Sequence, residues 1–176
     1  MAQVIGLFGG SFNPPHLGHA EAIRTVLRQG IDQVWLLPVM HHRGGKVLTD
    51  FDVRVELCRA FCEAFPGTVA VRTDEAQNPT GRTLDLVKSL SIQHPSSLFR
   101  LIMGQDVERH FDRWPGAADI RRIAPPFVVP RSSDSRFGAL SSREIRARIA
   151  AGSPVETFLS KNMYYRIKSE RLYRHE

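Results

Sequence analysis

Apolar residues along this chain follow two alternating rhythms. Short, nearly continuous apolar runs at residues 3–8, 34–38, 68–72, 98–103 and 127–130 are bounded by Gly, Pro or polar clusters, the mark of buried strands. Between them, apolar residues recur three and four positions apart. Residues 17–29 carry Ala20, Ile23, Val26 and Leu27 on one stripe and stop at Gly30, as a helix does. A second helix is predicted over 52–65, ended by Pro66-Gly67, and a third over 83–93. Another begins over 104–112 and is interrupted and restarted within "RWPGAADIRRI". Two last helices are predicted over 141–151 and 155–168, and "VMHHRGGKVLTD", "TDEAQNPTG" and "RSSDSRFGA" read as loops.

Five strands alternating with helices through short connections imply parallel pairing. The strands are apolar nearly throughout, as when both faces of a sheet are covered. The expected fold is α/β: a doubly wound, Rossmann-like parallel sheet of about five strands with C-terminal helices. One domain is expected over 1–176, with the sheet core in 1–130 and the last helices in 131–176. Such sheets bind ligands beyond the carboxyl ends of their strands, at the topological switch point. Unusual residues gather at those places. "GGSFNPPHLGH" follows the first strand, His41, His42 and Lys46 the second, "PTGRT" the third, "GQD" the fourth and Arg131 the fifth.

Composition narrows the partners. With 42% hydrophobic residues the chain can bury a core, and nothing in it signals disorder. The net charge of +6 favours phosphate-bearing ligands. Much of the excess lies in "KNMYYRIKSERLYRHE", read as a solvated C-terminal helix rather than an RNA-binding arm, so no nucleic-acid partner is expected. The apolar N-terminal run is too short for a secretion signal and lacks a basic flank. No stretch approaches the ~18 apolar residues of a membrane span, so a cytoplasmic location without a membrane partner is expected. Cys58 and Cys62 share a helix face with no histidine nearby, and read as small core residues rather than a zinc or redox pair.

The stretch from Gly9 to His19 carries the candidate chemistry. Gly9 and Gly10 remove side chains where backbone N–H groups could approach an anion. Pro14 and Pro15 delay the helix until His16 or Leu17. The first free N–H groups and the positive dipole end then face the ligand edge of the sheet. His16 and His19, three apart, share one face of that turn and with Ser11 form a set of donors for phosphate oxygens. A metal site built from His16, His19 and His41 or His42 is the weaker reading, because no carboxylate stands at a matching position. The stretch is neither a Walker loop nor a G-x-G-x-x-G fingerprint.

Gly9-Gly-Ser-Phe-Asn-Pro-Pro-His16-Leu-Gly-His19 resembles the HxGH signature of the nucleotidylyltransferase superfamily, and most of all the nicotinate/nicotinamide mononucleotide adenylyltransferases. "RTLDLVKSL" is similar to their Tyr-Thr-x-Asp segment at Thr83 and Asp85, "LIMGQD" with Trp114 to their Met-Gly-x-Asp…Trp segment, and "LSSREIR" to their Ile-Ser-Ser-Thr-x-Ile-Arg motif. The resemblance implies a nucleotidylyltransferase domain that transfers the adenylyl group of ATP, with Mg²⁺, to a pyridine mononucleotide. The acceptor phosphate is already an anion, so positioning and charge stabilisation carry the catalysis.

By resemblance, His16, His19 and Arg146 are catalytic, with both histidines charged beside phosphate. Gly9, Gly10, Ser11, Phe12, Lys46, Gly104, Asp106, Arg131, Ser141 and Ser142 would bind ATP, and Arg82, Thr83, Leu84 and Trp114 the acceptor. Several of these residues also have structural readings. Ser141 with Glu144 spells a capping box, Asp106 suits a helix N-terminus, and Trp114 a core aromatic. Three positions depart from the family pattern. Arg143 replaces a threonine and Arg82 a tyrosine, while Pro115 lacks the backbone N–H that helps hold the nicotinate carboxylate in bacterial members. Three matters stay open at this point. One is a relative that transfers adenylyl or cytidylyl groups to another phosphate acceptor. The others are a nucleotide-binding relative without catalysis and assembly into a homo-oligomer.

Overall fold

The structure, a computed structural model, describes residues 2–41, 47–130 and 140–174. Strands β1 (Gln3–Gly10), β2 (Gln33–Pro38), β3 (Val69–Val71), β4 (Ser97–Gly104) and β5 (Pro126–Val129) form one parallel sheet in the order β3-β2-β1-β4-β5. The helices are α1 (Leu17–Arg28), α2 (Phe51–Cys62), α3 (Thr83–Gln93), α4 (Gln105–Glu108), α5 (Ala117–Ile123), α6 (Ser142–Ala150) and α7 (Lys161–Ser169).

Strand side chains alternate between two buried cores, because successive residues point to opposite faces. Val34, Leu36 and Ile102 pack with Ile23 of α1, Leu57 of α2, Ile145 of α6 and Met163 of α7. Leu7, Trp35, Leu37 and Leu101 pack on the other face with Val87 and Leu90 of α3 and Ile120 of α5. The sheet is therefore wound on both faces, as the apolar strands require. After β3 the chain returns to the far side of β1 as β4. The crevice at the carboxyl ends of β1 and β4 is the switch point of the sheet.

Four local features differ from the sequence reading. First, β1 runs two residues further than 3–8. Gly9 and Gly10 pair with Leu37 and Pro38 of β2, since strand pairing uses only backbone. Second, the loop after β3 contains a single 3₁₀ turn, Asp74–Gln77, beside the two Arg72–Asp74 hydrogen bonds of 2.9 Å. Third, the predicted helix over 155–168 is split into a 3₁₀ turn, Glu156–Phe158, and α7. Val155, Leu159, Met163 and Ile167 are all buried and four apart, so the periodicity runs unbroken across a backbone that turns extended at Leu159 and Ser160. Fourth, the basic tail is not wholly solvated, because Met163, Ile167 and Tyr173 are core residues.

Cys58 is buried in the first core and Cys62 packs against it. Burial raises the Cys58 thiol well above its usual value and lifts Cys62 to about 12. Both stay protonated at neutral pH, and the structural reading of the pair stands.

The two glycines ending β1 have different reasons to be glycine. A Cβ on Gly10 would lie 3.2–3.4 Å from the Phe12 ring, whereas one on Gly9 meets nothing within 4 Å. Gly10→Ala should therefore cost about 1–3 kcal/mol in urea unfolding through overpacking. Gly9→Ala should leave stability within about 1 kcal/mol. Equal costs for the two would contradict this assignment.

Candidate active site

The site grows from the end of β1 and the first turn of α1. His16 is the N-cap of α1 in extended conformation. Its Nδ1 accepts the Gly18 N–H at 3.1 Å, and the Nδ1 of His19 accepts the His16 N–H, also at 3.1 Å. Together they form a reciprocal capping box built from two imidazoles. A neutral imidazole has one donor and one acceptor nitrogen. With both Nδ1 atoms accepting, the proton of each ring resides on Nε2. The rings lie 3.8 Å apart between centroids, and His19 rests on Phe12 and Phe8 at 5.1 and 5.8 Å.

This packing decides the charge. Burial, with the neighbouring His19, pulls His16 from 6.5 down to about 2, and burial pulls His19 down to about 4. The expectation of charged imidazoles concerns rings beside phosphate; the chain by itself does not hold that charge. It presents two neutral Nε2–H donors instead.

Two cavities meet at the switch point. The larger, about 750 Å³, is lined by Ser11, Phe12, His16, His19, Ser141 and Ser142 among others. The smaller, about 280 Å³, is lined by Gly9, Gly10, Thr83, Trp114 and apolar strand residues. Phe8, Ser11, Ile102, Met103 and Gly104, at the ends of β1 and β4, line both. A ligand in each would therefore meet its neighbour across this edge.

Helix α6 closes the larger cavity. Ser141 caps it by accepting the Glu144 N–H at 3.2 Å. The Glu144 carboxylate turns to Arg148 at 3.0 Å, so only the serine half of the expected box forms. The Ser142 hydroxyl donates to the Pro14 carbonyl at 2.8 Å, and Arg146 Nη1 donates to the Asn13 carbonyl at 2.7 Å. Both bonds hold α6 against the β1–α1 turn. Arg143, the departure from the family pattern, lines the larger cavity.

On the acceptor side, Trp114 lines the smaller cavity while its ring meets Phe111 edge-on at 5.5 Å. Leu84 packs where a Cβ on Gly116 would come within 2.4 Å of its Cδ2. Arg82 is the exposed N-cap residue of α3, and Asp106 is exposed in α4. Leu84, Arg82 and Asp106 lie outside the linings of both cavities. Lys46, Arg131 and His42 fall outside the described residues.

The sequence reading missed Glu21, Arg24, Thr25 and Arg28 of α1, which line the larger cavity. It also missed Glu75, a buried carboxylate lining the smaller one. Burial raises the pKa of Glu75, against a lowering by the Asn78 amide 3.3 Å away. Position along α1 was the available signal for the first group, since successive steps of three and four from Gly18 reach Glu21, Arg24, Thr25 and Arg28. No local signal marks Glu75.

Because both imidazoles stay neutral in the fold while the unfolded chain titrates near 6.5, their contribution to stability is complete above that pH. It is lost as the pH falls toward 4. The melting temperature of the ligand-free protein should drop across this window. His16→Asn, which keeps a capping oxygen but no titrating ring, should show a shallower drop. Parallel curves for the two proteins would refute the burial of a neutral His16.

Comparison with known proteins identifies the family. The cytidylyltransferase-like family model matches residues 7–169. The chain is 36% identical to the probable nicotinate-nucleotide adenylyltransferase of Anaeromyxobacter dehalogenans, over 97% of this chain and 96% of that protein. It is 35% identical to the like-named protein of Myxococcus xanthus, over 86% and 84%. Among solved structures, a putative nicotinate-nucleotide adenylyltransferase from Vibrio parahaemolyticus superposes with TM-score 0.82 at 23% identity, covering 99% of this chain and 97% of that one. The nicotinic acid mononucleotide adenylyltransferase of Plasmodium falciparum, complexed with NaAD, superposes with TM-score 0.74 at 16% identity, covering 99% and 98%. The chain belongs to the cytidylyltransferase-like family and, within it, to the nicotinate-nucleotide adenylyltransferases.

Proposed function

We propose that the chain transfers the adenylyl group of ATP to nicotinate mononucleotide, forming the dinucleotide and releasing pyrophosphate in NAD biosynthesis. The observation that carries this is the pair of cavities joined at the ends of β1 and β4, with the histidine pair on one side and Trp114 and Thr83 on the other. ATP fits the larger cavity, where the Nε2–H donors and the α6 N-terminus await phosphate oxygens. The pyridine mononucleotide fits the smaller, with its ring against Trp114 and its phosphate directed toward the shared edge.

There a phosphate oxygen of the acceptor attacks the α-phosphorus of ATP. The new P–O bond forms as the bond from that phosphorus to the bridging oxygen breaks, and pyrophosphate leaves. His16 and His19 donate to the phosphoryl oxygens as charge builds, and no general base is needed. Arg146 serves by bracing Asn13, and Arg143 supplies a cation at the cavity wall. Lys46 and Arg131 remain further phosphate ligands in this proposal, on sequence grounds alone. Among the described residues no group of three His, Cys, Asp or Glu gathers as a metal cage. Mg²⁺ would be carried on the triphosphate, which is how this cation usually meets such sites. It offsets phosphate charge.

A second acceptor, nicotinamide mononucleotide, is favoured by specific observations. Pro115 offers no N–H, Arg82 lies outside the cavity, and Glu75 brings a carboxyl group into it. A site without a dedicated carboxylate partner discriminates only about 10–200-fold between close analogues.

With ATP and Mg²⁺, pyrophosphate release is expected with both mononucleotides, faster with the nicotinate form but within that range. Tight ATP binding without turnover on either acceptor would overturn the proposal. His19→Ala should lower kcat by about 10²–10³-fold, the usual loss for one oxyanion donor, with circular dichroism unchanged. An unaltered rate would remove His19 from the machinery.

A further inference from the structure

Arg54 of α2 is 1% exposed, the largest fully buried side chain among the described residues. A buried arginine is expected to pair with an acid. Among the described residues, none lies at ion-pair distance from this one. Its donors end on three backbone carbonyls: Nε on Thr49 at 2.8 Å, Nη1 on Ser11 at 3.0 Å and Nη2 on Met40 at 3.4 Å. The guanidinium also sits 5.5 Å over the Phe51 ring. Those carbonyls come from the turn after β1, the turn after β2 and the entry to α2. Arg54 therefore binds together the connections that leave two neighbouring strands at the ligand edge.

One of these bonds has a directional consequence. A trans peptide is planar, with its C=O and N–H pointing opposite ways. Drawing the Ser11 carbonyl toward Arg54 aims the Phe12 N–H away from it. Phe12 itself has φ +45, a left-handed conformation that costs a bulky side chain about 1–3 kcal/mol unless its surroundings hold it. Its ring is fixed by Phe8 at 5.6 Å and His19 at 5.1 Å. Its backbone is fixed from behind by the bond from Arg54 to Ser11. Backbone of this kind forms concave N–H nests for anions, and Ser11 and Phe12 both line the larger cavity beside the histidines.

We propose that Arg54 is a positioning residue for adenylyl transfer, holding the Ser11–Phe12 peptide in the orientation that receives the phosphates of ATP. This rests on the adenylyl-transfer reading for its ligand. It adds a residue that touches neither substrate and shapes only the ATP half of the site.

The test is Arg54→Lys, which keeps the charge but cannot span three carbonyls, beside Arg54→Met, which removes both. Melting temperature, kcat, both KM values and calorimetric ATP affinity are measured on folded protein. A 1 Å misplacement in a site costs up to about 10²-fold. ATP affinity should therefore fall at least about tenfold in the lysine variant, and further in the methionine variant, while the acceptor KM stays within about twofold. Unchanged ATP affinity, or an equal rise in both KM values, would overturn the proposal. Should neither variant fold, the Arg54 Nε–H resonance of the wild-type protein decides. ATP should shift it and the acceptor alone should not, and no shift with ATP overturns the assignment. Calorimetric ATP binding needs no turnover, so the experiment also stands apart from failure of the acceptor assignment.

Discussion

The structure depends on how the first N–H groups of α1 are satisfied. A helix begins with donors that have no partner within it, and Ser, Thr, Asp or Asn usually accept them. Here two imidazoles do so, His16 for the Gly18 N–H and His19 for the His16 N–H. One pair of bonds then fixes several things together. It starts the helix at a defined residue and sets the tautomer of both rings, leaving each Nε2 as the donor. It also demands neutrality, because a proton on Nδ1 would remove the acceptor. Burial against Phe8 and Phe12 enforces the same state. The residues that cap the fold are thereby prepared as donors for phosphate, without a charge to be neutralised before a ligand arrives.

The remaining elements bring other groups to that turn. Gly10 leaves room for the Phe12 ring. Helix α6 is docked through carbonyls of the turn itself, those of Asn13 and Pro14, so its capped N-terminus faces the same cavity. Arg54 holds Ser11 from the opposite side. The switch point between β1 and β4 supplies the shared edge where the two cavities join. Preorganised donors at the shared edge suit a reaction whose nucleophile is already an anion and whose main demand is alignment of two phosphates.

Much of the architecture could be read from the sequence because it is written in local periodicity. Apolar runs marked the five strands, and three-four spacing marked the helices. The break at Leu159 and Ser160 was hidden because Val155, Leu159, Met163 and Ile167 keep a helical spacing across it. The histidines could be found because prolines and glycines fence them into one turn. Glu75 and Arg54 could not, since their roles arise from contacts between segments distant in sequence, such as Ser11 with Arg54. Arg82 and Asp106 stand beside motif residues in the sequence, and each is exposed at the start of a helix, outside both linings. Ser141 shows the two readings coexisting, as a cap that also borders the cavity.

The most direct test of the neutral imidazole pair is the ¹⁵N chemical shifts of the ring nitrogens of His16 and His19 at neutral pH, without ligand. Neutral rings with bare Nδ1 and protonated Nε2 are expected at both positions. Imidazolium shifts, or a proton on Nδ1 of either ring, would contradict it.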